Sequence, residues 1–450
     1  MTVVTTHWLR RIGLFTVYLT ATLAGDVQLA DQTGTSRPEQ FGAGGNAVTD
    51  DTIAVQRAAD EAAETTGQLV LSGDYRISRG IIINAPMTIS GGGQLIASSE
   101  IEQNIGVAGT DAMLRITAQA PGARILNTEF DLAGSGRTAL RIESAGTNVD
   151  GVSVRNYSKS VKADNKRHNK SESGIRVSAS DVTIKNVTCE RMFTTVEDAV
   201  PRCITVHGGA MRVRIDALTG VDINGGVTVG ASDGVMVTDF SFRNLSDNGL
   251  YLLPDSNHVI ATDGEIDGIN ETVVFKGKDA IVRRLRIHNQ EQGLGLENAS
   301  GVVISDIIVT YDGDLRTRPA FLRTRIGNER SSNIRLENVR ASMPLGNAIF
   351  NLAHGAVVDF TVVDSEFELD VSAKVASRDA AFLYRQNAGD VPEISGSTFR
   401  FMGEASMNLR SVHYKSMSES DEVWTKLKSD NRFLRGDEEL DVKPISRTAD

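Results

Sequence analysis

The fold is decided by five short segments: Cys203-Ile204-Thr205-Val206-His207, Gly226-Val227-Thr228-Val229-Gly230, Gly249-Leu250-Tyr251-Leu252, Thr272-Val273-Val274-Phe275-Lys276 and Gly293-Leu294-Gly295-Leu296-Glu297. Their strands open near Ile204, Val227, Leu250, Val273 and Leu294, at steps of 23, 23, 23 and 21 residues, after an earlier one near Ile175. A second apolar strand follows in the units, as in Val182-Thr183-Ile184, Val213-Arg214-Ile215, Val235-Met236-Val237, Ile281-Val282 and Val302-Val303-Ile304. Asn recurs after it, at Asn156, Asn186, Asn244, Asn289 and Asn338, which predicts a ladder of asparagines at one turn. Each coil of such a chain leaves an apolar face that only the next coil can cover. The expected fold is all-β: a single-stranded, right-handed parallel β-helix solenoid.

Outward from this stretch, later units continue through longer connections at Phe321, Ile349 and Phe382. On the other side, Thr49-Asp50-Asp51-Thr52 offers N-cap oxygens to an Ala-rich helix over Ile53–Ala63, ended by Gly67. An N-terminal capping helix there would hide the open strand edges of the first coil. From Gly403 the chain turns polar, with Trp424, Leu427, Phe433 and Leu434 as apolar anchors. A short helix near Asp421–Lys428 and a tail after Gly436 are expected to cover the far end. His7, Arg10 and Arg11 precede an apolar run, Ile12 to Ala24, that is too short to span a bilayer comfortably. The expected organisation is a signal peptide over 1–24 (cleavage after Ala24 or Ala30), a β-helix over 39–402 and a cap and polar tail over 403–450. The mature protein is then exported, periplasmic or extracellular, with no stable membrane insertion.

Composition narrows the function classes. Of 450 residues, 40% are hydrophobic and 23% charged, which suits a globular chain. Forty-two glycines with 5% aromatics disfavour a helical bundle. Lys+Arg 47 against Asp+Glu 58 gives a net charge of -11, so nucleic acid is not an expected partner. Two cysteines exclude a disulfide-dense scaffold and a four-thiolate zinc site. Cys189 and Cys203 bracket Glu190–Arg202, and the sequence leaves open a disulfide bracing that segment or two free thiols.

The run Phe41-Gly42-Ala43-Gly44-Gly45-Asn46-Ala47-Val48-Thr49-Asp50-Asp51-Thr52, then Gln56, resembles the opening of pectin-lyase-like β-helix proteins. Gly73-Asp74-Tyr75 resembles their Gly-x-Tyr turn, with Leu71-Ser72 in place of their Pro-Pro. The resemblance spans the architecture from Glu39 to Phe401. It implies carbohydrate binding in a groove between one sheet and a wall of insertions. It does not set the activity, since the superfamily includes lyases, glycoside hydrolases, epimerases and non-enzymes. Tyr157–Ser173, Glu190–Arg202, Tyr311–Pro319 and Ser365–Ala380 read as that wall.

Alternation selects the side chains that face the groove. If Ile204 and Val206 point in, Thr205 and His207 point out, and the same phase turns Arg176, Tyr251, Lys276, Gly295 and Glu297 outward, with Arg323 or Arg325 beyond. Asp247, Asn248, Glu271, Glu291 and Gln292 fall at the corner beside them. Cations cluster on the walls: Lys159, Lys162, Lys166, Arg167, His168 and Lys170 in the first, Arg202 at the end of the second, Arg316 and Arg318 in the third. In an acidic protein this predicts a polyanionic ligand.

A glycoside hydrolase needs two carboxyls, and Asp247, Glu271, Glu291 and Glu297 could supply them. The Asn-Thr-Asp, Asp-Asp and Gly-His-Gly motifs of polygalacturonases are absent from the corresponding strands. A polysaccharide lyase needs a base at C5 of a uronate and a cation to neutralise its carboxylate. Glu271-Thr272-Val273-Val274-Phe275-Lys276 resembles the strand ending in the base lysine of the chondroitinase B and alginate lyase group, which implies Lys276 as base and Ca²⁺ at Glu271. That group's catalytic arginine would align near Glu297, a departure. The expected function is β-elimination on an acidic, uronate-containing polysaccharide. Lys276, Tyr251 and His207 are the catalytic candidates. Arg176, Arg202, Lys166, Arg167, His168, Arg316, Arg318, Arg325 and Glu297 bind substrate, and Glu271 and Asp247 hold Ca²⁺. A paired-carboxylate hydrolase and a non-catalytic exopolysaccharide-binding protein are the alternatives.

Overall fold

A computed structural model describes residues 34–98, 112–159, 173–194, 200–268, 271–311, 320–325, 330–344, 348–352, 357–370, 381–385, 392–403, 410–413, 425 and 427–439. The signal-peptide residues 1–24, the cleavage site at Ala30, Lys166, Arg167, His168, Arg316, Arg318 and Trp424 lie outside them.

Short strands stack one per coil. Ser173–Val177, Arg202–Val206, Gly225–Val229, Leu250–Leu252, Val273–Phe275, Leu294–Leu296 and Leu322–Thr324 are consecutive members of a 13-stranded sheet. That sheet runs from Ile81–Ile83 to Arg410–His413 with parallel pairing throughout. The rest of each coil belongs to a 23-stranded sheet, also parallel apart from Leu434–Arg435 against Glu438–Glu439. Strands such as Thr183–Thr194, Arg214–Ile223 and Met236–Leu245 bend in mid-course, so this sheet makes two faces of the coil. The molecule is a parallel β-helix with three faces.

Each bend is a column of left-handed residues. Gly151, Asn186, Ala217, Asp239, Asp263, Arg284 and Asp306 all have positive φ and sit in register one coil apart. Asn and Asp tolerate this region because a short polar side chain bonds locally. The expected single asparagine ladder is corrected accordingly. Asn186 and Asn338 occupy this bend, while Asn156 and Asn244 occupy the next, with Arg191 and Asp222 between them. Their amides donate to aspartates of the coil below: Asn186 to Asp150 at 2.7 Å, Asn244 to Asp222 at 2.6 Å and Asn338 to Asp306 at 2.6 Å.

The third face also shortens the expected walls. Tyr157–Lys159, Glu190–Met192 and Glu366–Asp370 are ladder strands, so Ser365–Asp370 is no insertion. Inside, apolar residues of all three faces form one continuous core from Val55 to Phe433. Cys189 and Cys203 are joined by a disulfide, Cα atoms 5.8 Å apart, tying the third face to the start of the strand Arg202–Val206.

The helix Thr52–Glu64 caps the first coils, burying Val55, Ala58, Ala59 and Ala62. Asp50 accepts the Thr52 N–H at 3.0 Å, whereas Asp51 holds the N–H groups of Gly44 and Gly45 at 2.7 and 3.0 Å. Gln56 acts as one residue of a missing strand. Its Nε2 donates to the Ile82 carbonyl at 2.9 Å and its Oε1 accepts the Ile82 N–H at 2.8 Å. The edge that a bare solenoid end exposes is thereby satisfied.

At the other end the stack runs past Met402. Arg410–His413 continues the first sheet and Arg432–Arg435 the second, so the expected boundary at 402 is not where strand pairing stops. Phe433 stacks on Phe399 with ring centroids 5.1 Å apart, and Leu427 and Leu434 are buried as anchors. Thr425 and residues 427–430 are helical. Among the described residues no helix is long and apolar enough to cross a membrane.

Candidate functional site

The outer face of the 13-stranded sheet carries two outward columns. Backbone pairing sets Arg115, Arg141, Arg176, Thr205, Thr228, Tyr251, Val274, Gly295 and Arg323 in one, successive coils about 4.8 Å apart. Two residues further along each strand, Glu143, Ser178, His207, Gly230, Leu253, Lys276, Glu297 and Arg325 form the other, each N–H bonding to the coil before. The expected phase holds, and both Arg323 and Arg325 face out.

At the Tyr251 end these side chains interlock. The Arg202 guanidinium lies 5.2 Å from the Tyr251 ring centroid and the Lys276 ammonium 5.3 Å from it. Such contacts attract cations to the ring's negative faces. Among the described residues the Tyr251 hydroxyl makes no hydrogen bond. Lys276 Nζ donates to Glu297 at 2.7 Å, and Arg325 approaches the same carboxylate at 3.8 Å. Glu271 is 2% exposed and lies on the sheet, held by Arg323 at 2.6 Å and Arg325 at 3.4 Å. Arg202, expected on an exposed wall, is buried and crosses the sheet to Asp247 at 2.8 Å and the Asn248 carbonyl at 3.1 Å. Burial lowers its pKa, opposed by Asp247.

Two glycines clear the path for these crossings. A Cβ at Gly225 would stand 2.2 Å from the Arg202 guanidinium, and one at Gly295 would stand 2.8 Å from the Glu271 carboxylate. Side chains there would push both groups off the sheet.

His207 lies apart from Tyr251, about two rungs away, roughly 10 Å. Its Nε2 accepts from Arg176 Nε at 2.6 Å, which requires the neutral ring. Burial, then the charges of Arg176 and Arg141, push its pKa down to about 4. Beyond it, Glu143 is shared by Arg115 at 2.8 Å and Arg141 at 2.6 Å. Arg115, Arg141 and Glu143 lie before the repeat that opens near Ile175 and are not among the outward side chains expected from it. Their signal is plain in retrospect: Leu114-Arg115-Ile116, Leu140-Arg141-Ile142 and Ile175-Arg176-Val177 are one motif on three adjacent strands.

The expected Ca²⁺ does not fit the donors present. Ca²⁺ wants six to eight oxygens, largely carboxylate, but the oxygens of Glu271 and Asp247 face guanidinium groups. Among the described residues no three His, Cys, Asp or Glu side chains converge as a metal site requires.

A three-faced coil with a helix over one end and a polar outer face on one sheet defines a right-handed parallel β-helix. The chain is similar in structure to PfbA, a surface adhesin of Streptococcus pneumoniae, at 9% identity and TM-score 0.55, covering 85% of this chain and 92% of that one. It is also similar to the Dettilon tailspike protein, at 13% identity and TM-score 0.56, covering 89% and 70%. At such identities the likeness is one of fold. No family model and no curated protein matches the sequence.

Proposed function

We propose that the protein is an exported enzyme that cleaves an acidic, uronate-containing polysaccharide by β-elimination, with Tyr251 as the group that exchanges protons with substrate. The observation that carries this is Tyr251, on the outer face of the sheet, its ring flanked by Arg202 and Lys276. In the reaction the C5–H bond breaks, the electron pair forms the C4–C5 double bond, the C4–O bond breaks and the leaving oxygen gains a proton. Arg202 and Lys276, beside the ring, are placed to meet the substrate carboxylate as the C5 proton leaves.

Lys276 is better suited to charge stabilisation than to proton abstraction. An ammonium donating to Glu297 at 2.7 Å has no lone pair to offer. His207 is tied to Arg176 through the nitrogen that would act as base. A paired-carboxylate hydrolase needs a neutral carboxyl as acid; of its four candidates, Asp247, Glu271 and Glu297 are each matched to a cation, and Glu291 is buried. The disulfide fits an oxidising compartment, which supports export.

A panel of acidic polysaccharides, with products read by mass and ultraviolet absorbance, tests the reading. Products with an unsaturated end support it. Products that gain a water overturn it in favour of hydrolysis, and binding without product leaves a non-catalytic glycan-binding protein.

A further inference from the structure

We infer that a recess where the 23-stranded sheet bends at Gly396 is a binding site for one uncharged sugar unit, held by its hydroxyls. The recess has a volume of about 290 Å³. It lies on the bend between the two faces of that sheet, across the coil from the face that carries Tyr251. The inference does not depend on the chemistry proposed at Tyr251.

The recess exists because a side-chain ladder stops. Bend residues of neighbouring coils interlock, Arg284 with Asp263 at 2.6 Å and Asn338 with Asp306 at 2.6 Å. Asp364 takes the same place one coil past Asn338, and Gly396 the next, each at positive φ. Gly396 offers no side chain, and the Asp364 carboxylate lies over it, where a Cβ would stand 2.3 Å from Oδ1. Past the bend the outward residues are Arg340, Glu366, Thr398 and Arg432, in register on successive strands. The short Thr398 leaves the space between its longer neighbours open. The floor is fixed from inside. Phe367, Phe399 and Phe433 follow Glu366, Thr398 and Arg432, and their rings stack with centroids 5.1 Å apart. The N–H groups of Val339, Ser365 and Ser397 bond to the side chains of Ser365, Ser397 and Asn431 at 3.1, 3.2 and 3.0 Å. The backbone of the bend therefore makes no claim on the outward side chains.

The lining selects the ligand. Glycine aside, every residue in it is polar or charged, which leaves nothing for an apolar ligand. Among the described residues Arg340, Glu366 and Arg432 form no ion pair, although Arg340 and Glu366 are direct neighbours. Arg400 differs, held by Asp437 at 2.6 Å and by the Gly436 carbonyl. Two guanidinium groups thus stand against the carboxylates of Asp364 and Glu366, and the lining is balanced in charge. A net anion or cation gains little from such a set. Sugar hydroxyls are donors and acceptors at once and use all of it. The carboxylates accept from them, the guanidinium groups donate to them, and Thr398 does both. These groups follow one another at about 4.8 Å from rung to rung, close to the width of a pyranose ring. Ligand sites start at volumes on the order of 300 Å³, so this recess has room for one ring and not for a run of them.

The test compares the full wild-type chain with Gly396→Asn, Arg432→Gln and Glu366→Gln. Asparagine tolerates the positive φ, as Asn338 does on the same bend, and its side chain fills the recess. Binding of glucose, galactose, mannose and N-acetylglucosamine, with glucuronate and glycine as charged controls, is titrated by ligand-observed NMR, and melting temperature reports folding. The expected result is that the wild type binds at least one neutral sugar and binds it more tightly than glucuronate or glycine. Gly396→Asn should lose that binding, and Arg432→Gln and Glu366→Gln should each weaken it roughly tenfold. If Gly396→Asn fails to fold, the two Gln variants decide. Wild-type protein that binds none of the neutral sugars overturns the site, as does glucuronate or glycine binding in their place. Neutral-sugar binding that is undiminished in both Gln variants lies elsewhere and also overturns it. None of these outcomes bears on β-elimination, which is read from the products of a polymer.

Discussion

The two ends of one outward column are built from different side chains. Around Tyr251, Arg202, Lys276, Arg323 and Arg325 are interleaved with Asp247, Glu271 and Glu297, and the crossing side chains lie flat on the sheet. Around Arg141, Arg115 and Arg141 both reach Glu143, and Arg176 donates to the His207 ring. The same backbone repeat carries both, so the difference is in side chains alone. A matched network positions groups rigidly at small net charge, which suits chemistry. The tyrosine end is the one on which the proposed chemistry rests.

The largest expected effect separates the two. Tyr251→Phe keeps the ring between its cations and removes only the hydroxyl, so turnover should fall by about 10³-fold or more with binding retained. Production of unsaturated ends at saturating substrate measures this, and wild-type rates in the variant would remove Tyr251 from the chemistry.

Next comes the matched network. Glu271→Gln leaves Arg323 and Arg325 facing a neutral group on a buried site, and should cost about 3 to 4 kcal/mol of stability. Denaturant unfolding checks it. A change below roughly 1 kcal/mol would place Glu271 among ordinary surface ion pairs.

Removing the disulfide with Cys189→Ser and Cys203→Ser together should cost about 3 kcal/mol, from the loop its 14-residue separation closes. Because Arg202 precedes Cys203, turnover should fall as well. Turnover at wild-type rates would mean that the bridge does not position Arg202.

The smallest effect is one of pH. His207 has a folded pKa of about 4, below its ordinary value of 6.5, so the unfolded chain binds more protons between these values. Its contribution to stability is complete above about pH 6.5 and is lost as pH falls through about 4. His207→Gln should flatten that part of the stability profile while leaving the Tyr251 end unchanged. Retention of the full slope in the variant would assign it to other groups.

Much of this was legible in the chain. The steps between Ile204, Val227, Leu250, Val273 and Leu294 predict stacked coils, and the alternation at Leu250-Tyr251-Leu252 predicts which side chain faces out. The third face was not, because Glu366–Asp370 and Glu190–Met192 carry no turn that marks them off from a loop. The asparagines were read as one ladder because sequence records the residue and not the corner it turns; what they share is a positive φ.

The sequence by itself determined the coil, the cap and the list of outward side chains, because these follow from periodicity and local turn chemistry within about one repeat. Only the tertiary structure decided which charges meet. Arg323 reaches Glu271 across 52 residues and Arg202 reaches Asp247 across 45. Those pairings depend on the register of neighbouring coils and on glycines at positions 225 and 295 that let side chains lie across the sheet. No local pattern encodes a distance between residues so far apart in the chain. Lys276, expected as the base, stands there as the partner of Glu297, which is why the proposal turns to Tyr251.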